Sequence, residues 1–415
     1  MKKILYPFQR SGVDFLKSHF HALLADEPGL GKTIQAITAA EELGLKRVLV
    51  VCPASVRLNW KQEVEECLDD SNGWEIISYN RATQNVEFGE YDAIILDEAH
   101  FLKNPESARS QAVFGNQTGF ARRARYKWCL SGTPVLNRPR ELYPILKTLA
   151  PGFSGAAFPQ FAQRYCGAFF DGRGINTRGA SHLDELSSRL EGFMLRRTKQ
   201  EVMPELPPKI LSRVPLYVND EELAAVTAEE REIEDRESYL SPTHEDFSQL
   251  GDLAHLLRLT GEAKVPAAIG FISELLETLD KIVVFARHRS VIEELRMRLE
   301  ERNLGPVVYQ GGMSDVDKKE AVDSFLGRES NRVFIGNIQA AGTGINGLQN
   351  ACSNVVFVEL SWVPGETDQA IDRCHRIGQK SDCVNAYVLH IPGTLESAVL
   401  SVQERKTKII KRLMN

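Results

Sequence analysis

At 415 residues, with 43% apolar and 26% charged side chains, the chain is too long for one ordinary core and too apolar for disorder, so two lobes are expected. A net charge of −6 excludes a globally basic protein that coats nucleic acid by bulk electrostatics, and any such contact must come from a local groove. Lys2 and Lys3 have no apolar run behind them and no stretch approaches the ~20 apolar residues of a membrane span, so a soluble, intracellular chain is expected.

In chain order, the apolar residues 22–25 lead into a glycine-rich segment and then helical spacing over 34–43. Apolar runs at 47–53, 91–97 and 127–130 read as buried strands, with helical spacing at 56–68 between the first two. From 135 to 266 the alternation breaks. Segments 151–155 and 167–179 are loop-like, Pro204-Glu205-Leu206-Pro207-Pro208 reads as a stiff connection, and 220–237 as an acidic, solvated helix. Strands at 281–286, 307–310, 332–336, 354–360 and 385–390 then alternate with helices at 291–302, 315–327 and 366–377. A basic amphipathic helix over 395–414 is expected to pack on the second lobe. Strand–helix alternation of this kind predicts an α/β protein with doubly wound parallel sheets, whose functional groups gather beyond the strand C-termini. The seven cysteines show no CxxC pair and several lie in apolar runs, so they read as small buried hydrophobes and no structural zinc is expected.

Three segments carry the chemistry. Asp26-Glu27-Pro28-Gly29-Leu30-Gly31-Lys32-Thr33 precedes a helix, and a phosphate chain needs small residues, inward backbone N–H groups and a helix N-terminus. Gly29, Leu30 and Gly31 would form the cradle, Lys32 would reach the β/γ-phosphates and Thr33 would bind Mg²⁺. Asp26 stands where the strict phosphate-loop pattern has its first glycine. Next, the apolar run from Tyr91 ends in Asp97-Glu98-Ala99-His100, two adjacent carboxylates at a strand tip. Asp97 would hold the Mg²⁺ and Glu98 would act as general base, whereas His100 reads equally as a packing or a catalytic histidine. Ser131-Gly132-Thr133-Pro134 follows. In the second block, Arg373 and Arg376 are expected three apart on one helical face, as arginine fingers reaching the γ-phosphate of ATP. With the fingers on the other lobe, ATP binding would close the lobes and hydrolysis would release them.

These motifs resemble helicase superfamily two, and specifically its Swi/Snf-type DNA translocases. Leu5-Tyr6-Pro7-Phe8-Gln9 resembles the opening glutamine motif, which implies that Gln9 reads adenine, and Asp26-Glu27 resembles the family's acidic lead-in to the phosphate loop. Asp97-Glu98-Ala99-His100 and His375-Arg376-Ile377-Gly378-Gln379 are its strongest signatures here. Gly132–Pro139, Arg164-Tyr165-Cys166 and Trp362 with Pro364-Gly365 favour the annealing-helicase branch, while Gly347 departs from the usual glycine spacing of its loop.

The resemblance implies two RecA-like lobes with inserted, mainly helical protrusions. The first would span 1–205 with a protrusion at 136–200. The second would span 206–415 with a helical insertion at 215–262, a core at 264–392 and the helix 395–414. It also implies ATP and Mg²⁺ as cofactors, double-stranded or forked DNA as partner, and a DNA-bound protein or separate targeting subunit as a further one. DNA contacts are expected at Pro53, Ala54, Ser55, Ser78, Gly311, Gly312 and Ser314. Arg196 and Arg197 stand equally as phosphate contacts or as a brace between lobes. The expected function is a DNA-stimulated ATPase that translocates on double-stranded DNA, with a strand-separating or annealing helicase and an inactive DNA-binding module as alternatives. Its length suggests a bare prokaryotic or viral motor in the cytoplasm, nuclear if eukaryotic.

Overall fold

Residues 4–84, 89–115, 119–150, 158–170, 172, 174–236, 251–341 and 345–414 are described by the structure, a computed structural model. The turns expected at 151–155 lie outside them, as do residues 342–344 of the glycine-bearing loop. The chain divides into two compact units, Met1–Pro204 with Thr407–Asn415, and Glu205–Lys406.

In the first unit β1 (His21–Leu24), β2 (Val48–Cys52), β3 (Trp74–Ser78), β4 (Tyr91–Asp97), β5 (Ala124–Leu130) and β8 (Met194–Leu195) form one sheet in the order β3-β2-β4-β5-β1-β8. Every neighbouring pair is parallel. The short β6 (Phe169–Phe170) and β7 (Ile175–Asn176) pair antiparallel with each other. Alternate residues enter two separate cores, one on each face. Leu23, Leu49, Val51, Ile94 and Leu96 line one, whereas Ala22, Leu24, Val48, Val50, Ile95 and Trp128 line the other. A sheet covered on both faces explains the continuous apolar runs, since neither side tolerates a polar alternation.

The second unit repeats the plan. β9 (Lys209–Pro215), β10 (Ile282–Ala286), β11 (Pro306–Tyr309), β12 (Val333–Asn337), β13 (Asn354–Phe357) and β14 (Val384–His390) form a parallel sheet in the order β11-β12-β10-β13-β14-β9. Val283, Phe285, Phe334 and Phe357 enter one core, and Ile282, Val284, Val333 and Ile335 the other. The architecture is therefore α/β, with two doubly wound parallel sheets.

The apolar pattern does not mark β3, β8 or β9. Glu75, Lys209, Ile210 and Leu211 are exposed on edge strands, and β8 is two residues long, too short to carry a period. The C-terminal helix Leu395–Met414 also departs from expectation. From Thr407 onward it groups with the first unit, where Leu413 and Met414 enter the core and Arg412 pairs with Asp184 at 2.6 Å. Six of the seven cysteines are buried, and no helix among the described residues is long and apolar enough to cross a membrane.

Candidate functional site

All strands of the first sheet run the same way, so their C-terminal ends share one edge, and the candidate site lies along it. The chain leaves β1 at Leu24, turns through 25–31 and enters α2 (Lys32–Glu42). The turn requires left-handed backbone at Gly29 (φ +90°) and Gly31 (φ +75°), which explains the small residues there. Gln9, on α1 (Pro7–Ser18), packs on this loop. Its Oε1 accepts from the Tyr6 N–H at 3.0 Å and its Nε2 donates to the Leu30 carbonyl at 3.2 Å. A Cβ on Gly31 would stand 2.5 Å from that Nε2, so the glycine also admits Gln9.

The Lys32 ammonium donates to the Asp26 carbonyl at 2.7 Å and the Glu27 carbonyl at 3.4 Å. Burial pushes its pKa below the usual lysine value, against the opposing pull of Glu98, Asp26 and Asp97. Those carboxylates are near enough to hold the charge on Lys32, which is the electrostatic signature of one shared site.

Asp26 is fully buried, and the Arg197 guanidinium grips it with two nitrogens, Nε to Oδ1 at 2.9 Å and Nη2 to Oδ2 at 2.5 Å. Arg197 also donates to the Phe8 carbonyl and to Gln35 Oε1, and lies over the Phe8 ring. Glu27 Oε2 accepts from the Lys199 N–H at 2.8 Å, and Arg196 donates to the Ala25 and Gly132 carbonyls. Asp26 thus stands in place of a loop glycine for a structural reason: it anchors the 196–199 segment against the glycine turn. Arg196 and Arg197, expected at DNA or between lobes, have these contacts inside the first unit. Sequence reasoning missed Arg197 and Gln35 as partners of Asp26: Arg197 is too distant along the chain for any local spacing to link it, and Gln35 reaches Asp26 only once the turn has folded back.

β4 ends in Asp97, whose Oδ2 accepts from the Trp60 indole N–H at 2.7 Å and whose Oδ1 accepts from the Glu98 N–H at 2.9 Å. Burial and the neighbouring Glu98 charge push the Asp97 carboxyl up to about 6 from its ordinary 3.8, with Trp60 and Lys32 opposing. Glu98 adopts left-handed backbone (φ +48°), a strained state for a residue with a Cβ, and this turns its side chain at the strand tip. His100 is buried with Nδ1 3.3 Å from Glu98 Oε2 and 3.1 Å from Ser131 Oγ, which accepts from the Thr133 N–H at 3.3 Å. His100 therefore ties the carboxylate segment to Ser131-Gly132-Thr133. Gly132 is fitted to this loop too, since a Cβ there would stand 2.7 Å from the Pro28 ring.

In the second unit the helix expected over 366–377 spans Pro364–Ile371 and stops. Arg373 and Arg376 lie on the tight turn that follows, not on one helical face. Side chains take over the carbonyls that another helical turn would use. Arg376 Nε donates to the Asp372 carbonyl at 3.2 Å, and Gln379 Nε2 donates to the carbonyls of Cys374 at 2.9 Å and Cys352 at 3.0 Å. Both guanidinium groups still converge, on the Ile345 carbonyl at 3.3 and 3.5 Å, and Arg376 reaches Asn346 Oδ1 at 2.7 Å. Gly347, the departure in glycine spacing, has φ +96° and leaves 2.9 Å between a would-be Cβ and Leu326, so only glycine suits it.

Of the expected DNA contacts, Pro53, Ala54 and Ser55 follow β2, and Ser78 ends β3, where its hydroxyl caps the next helix by accepting from the Arg81 N–H. These strands are neighbours, so the two segments lie side by side at the C-terminal edge. Gly311, Gly312 and Ser314 follow β11 in the second unit, with Ser314 capping Asp315–Gly327. Arg289 donates to the Gly311 carbonyl at 3.1 Å, a cation that sequence reasoning missed although Arg287-His288-Arg289 directly follows a strand.

Comparison with known proteins places these features in context. Residues 8–87 and 73–244 match the SNF2-related domain, and residues 267–378 match the helicase conserved C-terminal domain. A mouse (Mus musculus) protein named DNA annealing helicase and endonuclease ZRANB3 is 33% identical over 99% of this chain and 41% of its own length. A Xenopus tropicalis protein named SWI/SNF-related matrix-associated actin-dependent regulator of chromatin subfamily A-like protein 1 is 33% identical over 98% of this chain and 44% of its own. The chain thus spans less than half the length of these relatives. A solved Sulfolobus solfataricus SWI2/SNF2 ATPase core in complex with dsDNA is 24% identical, with a TM-score of 0.44, covering 100% of this chain and 93% of that one.

Proposed function

Because the chain belongs to the SNF2-related family of ATPases in helicase superfamily two, we propose that it hydrolyses ATP when bound to DNA and uses the energy to move along the duplex without separating its strands. The observation that carries this reading is the convergence of the glycine turn, Lys32, Asp97 and Glu98 at one sheet edge, where the charge on Lys32 responds to both carboxylates.

The backbone N–H groups of Gly29, Gly31, Lys32 and Thr33 and the Lys32 ammonium bind the β- and γ-phosphates, and Gln9 meets the adenine beside the loop. Thr33 and Asp97 supply a hydroxyl and a carboxylate, the hard oxygen donors that Mg²⁺ prefers, so the residues fit the ion. Bound there, Mg²⁺ supplies charge neutralisation on the phosphate oxygens. Glu98 takes a proton from the water that attacks the γ-phosphorus, while the bond to the β-phosphate oxygen breaks and ADP leaves. His100 orients Glu98, and Ser131 holds His100. Arg373 and Arg376 serve as the second unit's arginine fingers, a contribution of roughly 10³–10⁵ in rate. Pro53, Ala54, Ser55, Ser78, Gly311, Gly312 and Ser314 contact the DNA backbone.

The mouse relative is named an annealing helicase, which favours rewinding or fork remodelling over conventional unwinding. The test is ATPase activity with single-stranded, duplex, forked and RNA ligands across a salt series. Stimulation by duplex or forked DNA with a steep salt dependence is expected. Activity unchanged by duplex DNA overturns the reading, and release of a labelled strand from a fork without reannealing favours the strand-separating alternative.

A further inference from the structure

Two segments expected to touch DNA each continue, within a few residues, into a hydrogen-bond donor aimed at Asp97. Pro53, Ala54 and Ser55 lead through the turn Ala54–Val56 into α3 (Arg57–Cys67), which carries Trp60. Ser78 is followed at once by Tyr79. The Trp60 indole N–H donates to Asp97 Oδ2 at 2.7 Å, and the Tyr79 hydroxyl donates to the Asp97 carbonyl oxygen at 2.8 Å. Trp60 and Tyr79 are 1% and 2% exposed, so neither donor has water as an alternative. One segment holds the side chain of Asp97 and the other its backbone.

We propose that Trp60, with Tyr79 as its counterpart at the Asp97 backbone, is a positioning residue that couples DNA contact at 53–55 and 78 to the orientation of the Asp97 carboxylate. The inference rests on the reading of Asp97 as the metal-site carboxylate and of those segments as DNA contacts. An indole N–H can only donate, and once buried it must follow its acceptor or lose its bond. A small displacement of α3 by the duplex therefore moves Asp97 Oδ2 with it, because the interior between them is packed and does not absorb strain locally. Glu98 shares the consequence, since its own N–H is bonded to the other oxygen of Asp97. DNA would thus set the geometry of both carboxylates from a segment that touches neither nucleotide nor metal.

The test is Trp60→Phe, which keeps the aromatic bulk and removes the donor, with Tyr79→Phe as an independent companion should the first variant not fold. Expected for the folded variant is a fall of about 10–100-fold in DNA-stimulated kcat, the scale seen when partners that orient metal ligands are lost, with KM for ATP nearly unchanged and more Mg²⁺ needed for half-maximal rate. A second readout needs no turnover. The Trp60 indole N–H resonance, assigned by its loss in Trp60→Phe, is expected to shift when duplex DNA is added without nucleotide. An indole resonance unmoved at a DNA concentration where anisotropy shows saturation overturns the coupling, as does a folded Trp60→Phe with undiminished DNA stimulation. Absence of DNA stimulation in the unmodified chain instead sinks the functional reading, and the resonance experiment separates the two failures.

Discussion

The dipeptide Asp-Glu occurs twice at the C-terminal edge of the first sheet, and its two copies meet opposite surroundings. At 26–27 the carboxylates are held: Asp26 is neutralised by the two-nitrogen grip of Arg197, and Glu27 accepts from the Lys199 backbone N–H. At 97–98 the Glu98 charge acts against that of Asp97, Asp97 has neutral donors in Trp60 and the Glu98 amide, and its carboxyl is pushed up to about 6. The difference shows that residue type does not assign the role of an acid. The first pair is satisfied and therefore structural, while the second stores repulsion that a bound cation would relieve.

The comparison breaks most visibly at Glu98. Glu98→Gln is expected to lower DNA-stimulated phosphate release by about 10²–10⁴-fold while nucleotide binding persists, because only proton transfer is removed. If turnover survives, the reactive pair is misassigned. Arg197→Met probes the other copy. It leaves Asp26 charged and buried, and urea unfolding is expected to show a loss of about 3–5 kcal/mol. A loss of turnover without a loss of stability would mean that Asp26 belongs to the chemistry.

Asp97→Asn sharpens the contrast by sign. The raised carboxyl means that the folded chain holds a proton between pH 3.8 and about 6 that the unfolded chain has released. The cost of the charge is thus fully present above pH 6 and relieved as pH falls towards 4. Without nucleotide, Asp97→Asn is expected to gain about 1–3 kcal/mol relative to the unsubstituted chain between pH 4 and pH 7.5, set against a pH-independent loss because its single oxygen leaves Trp60 or the Glu98 amide without an acceptor. Activity falls in the same variant, so the pH dependence of its stability reads the Asp97 charge separately from the chemistry. The smallest effect is expected at Gly347, where Gly347→Ala forces a Cβ into left-handed backbone beside Leu326 and costs about 1–2 kcal/mol in unfolding.

Much of the site was legible because its chemistry is local. Gly29, Gly31, Lys32 and Thr33 act through one turn and one helix start, and Asp97-Glu98 through one strand tip, so spacing alone reveals them. The central strands were legible for a related reason, since burial on both faces writes an uninterrupted apolar run. Edge strands β3 and β9 carry exposed residues and leave no such trace. The turn bearing Arg373 and Arg376 was misread as helix because Arg376 and Gln379 replace backbone partners with side chains, an exchange that helical periodicity does not encode.

Chain order and residue type by themselves determined the α/β class, the order of the motifs and the membership in an ATPase family. Tertiary structure alone decided which charges cancel. Arg197 lies far from Asp26 along the chain, and Trp60 far from Asp97, yet the parallel sheet carries every strand end to one edge and brings them within hydrogen-bond reach. Whether an acid is a strut or a reagent depends on whether its nearest donor carries a charge, and that donor arrives only after the sheet has formed.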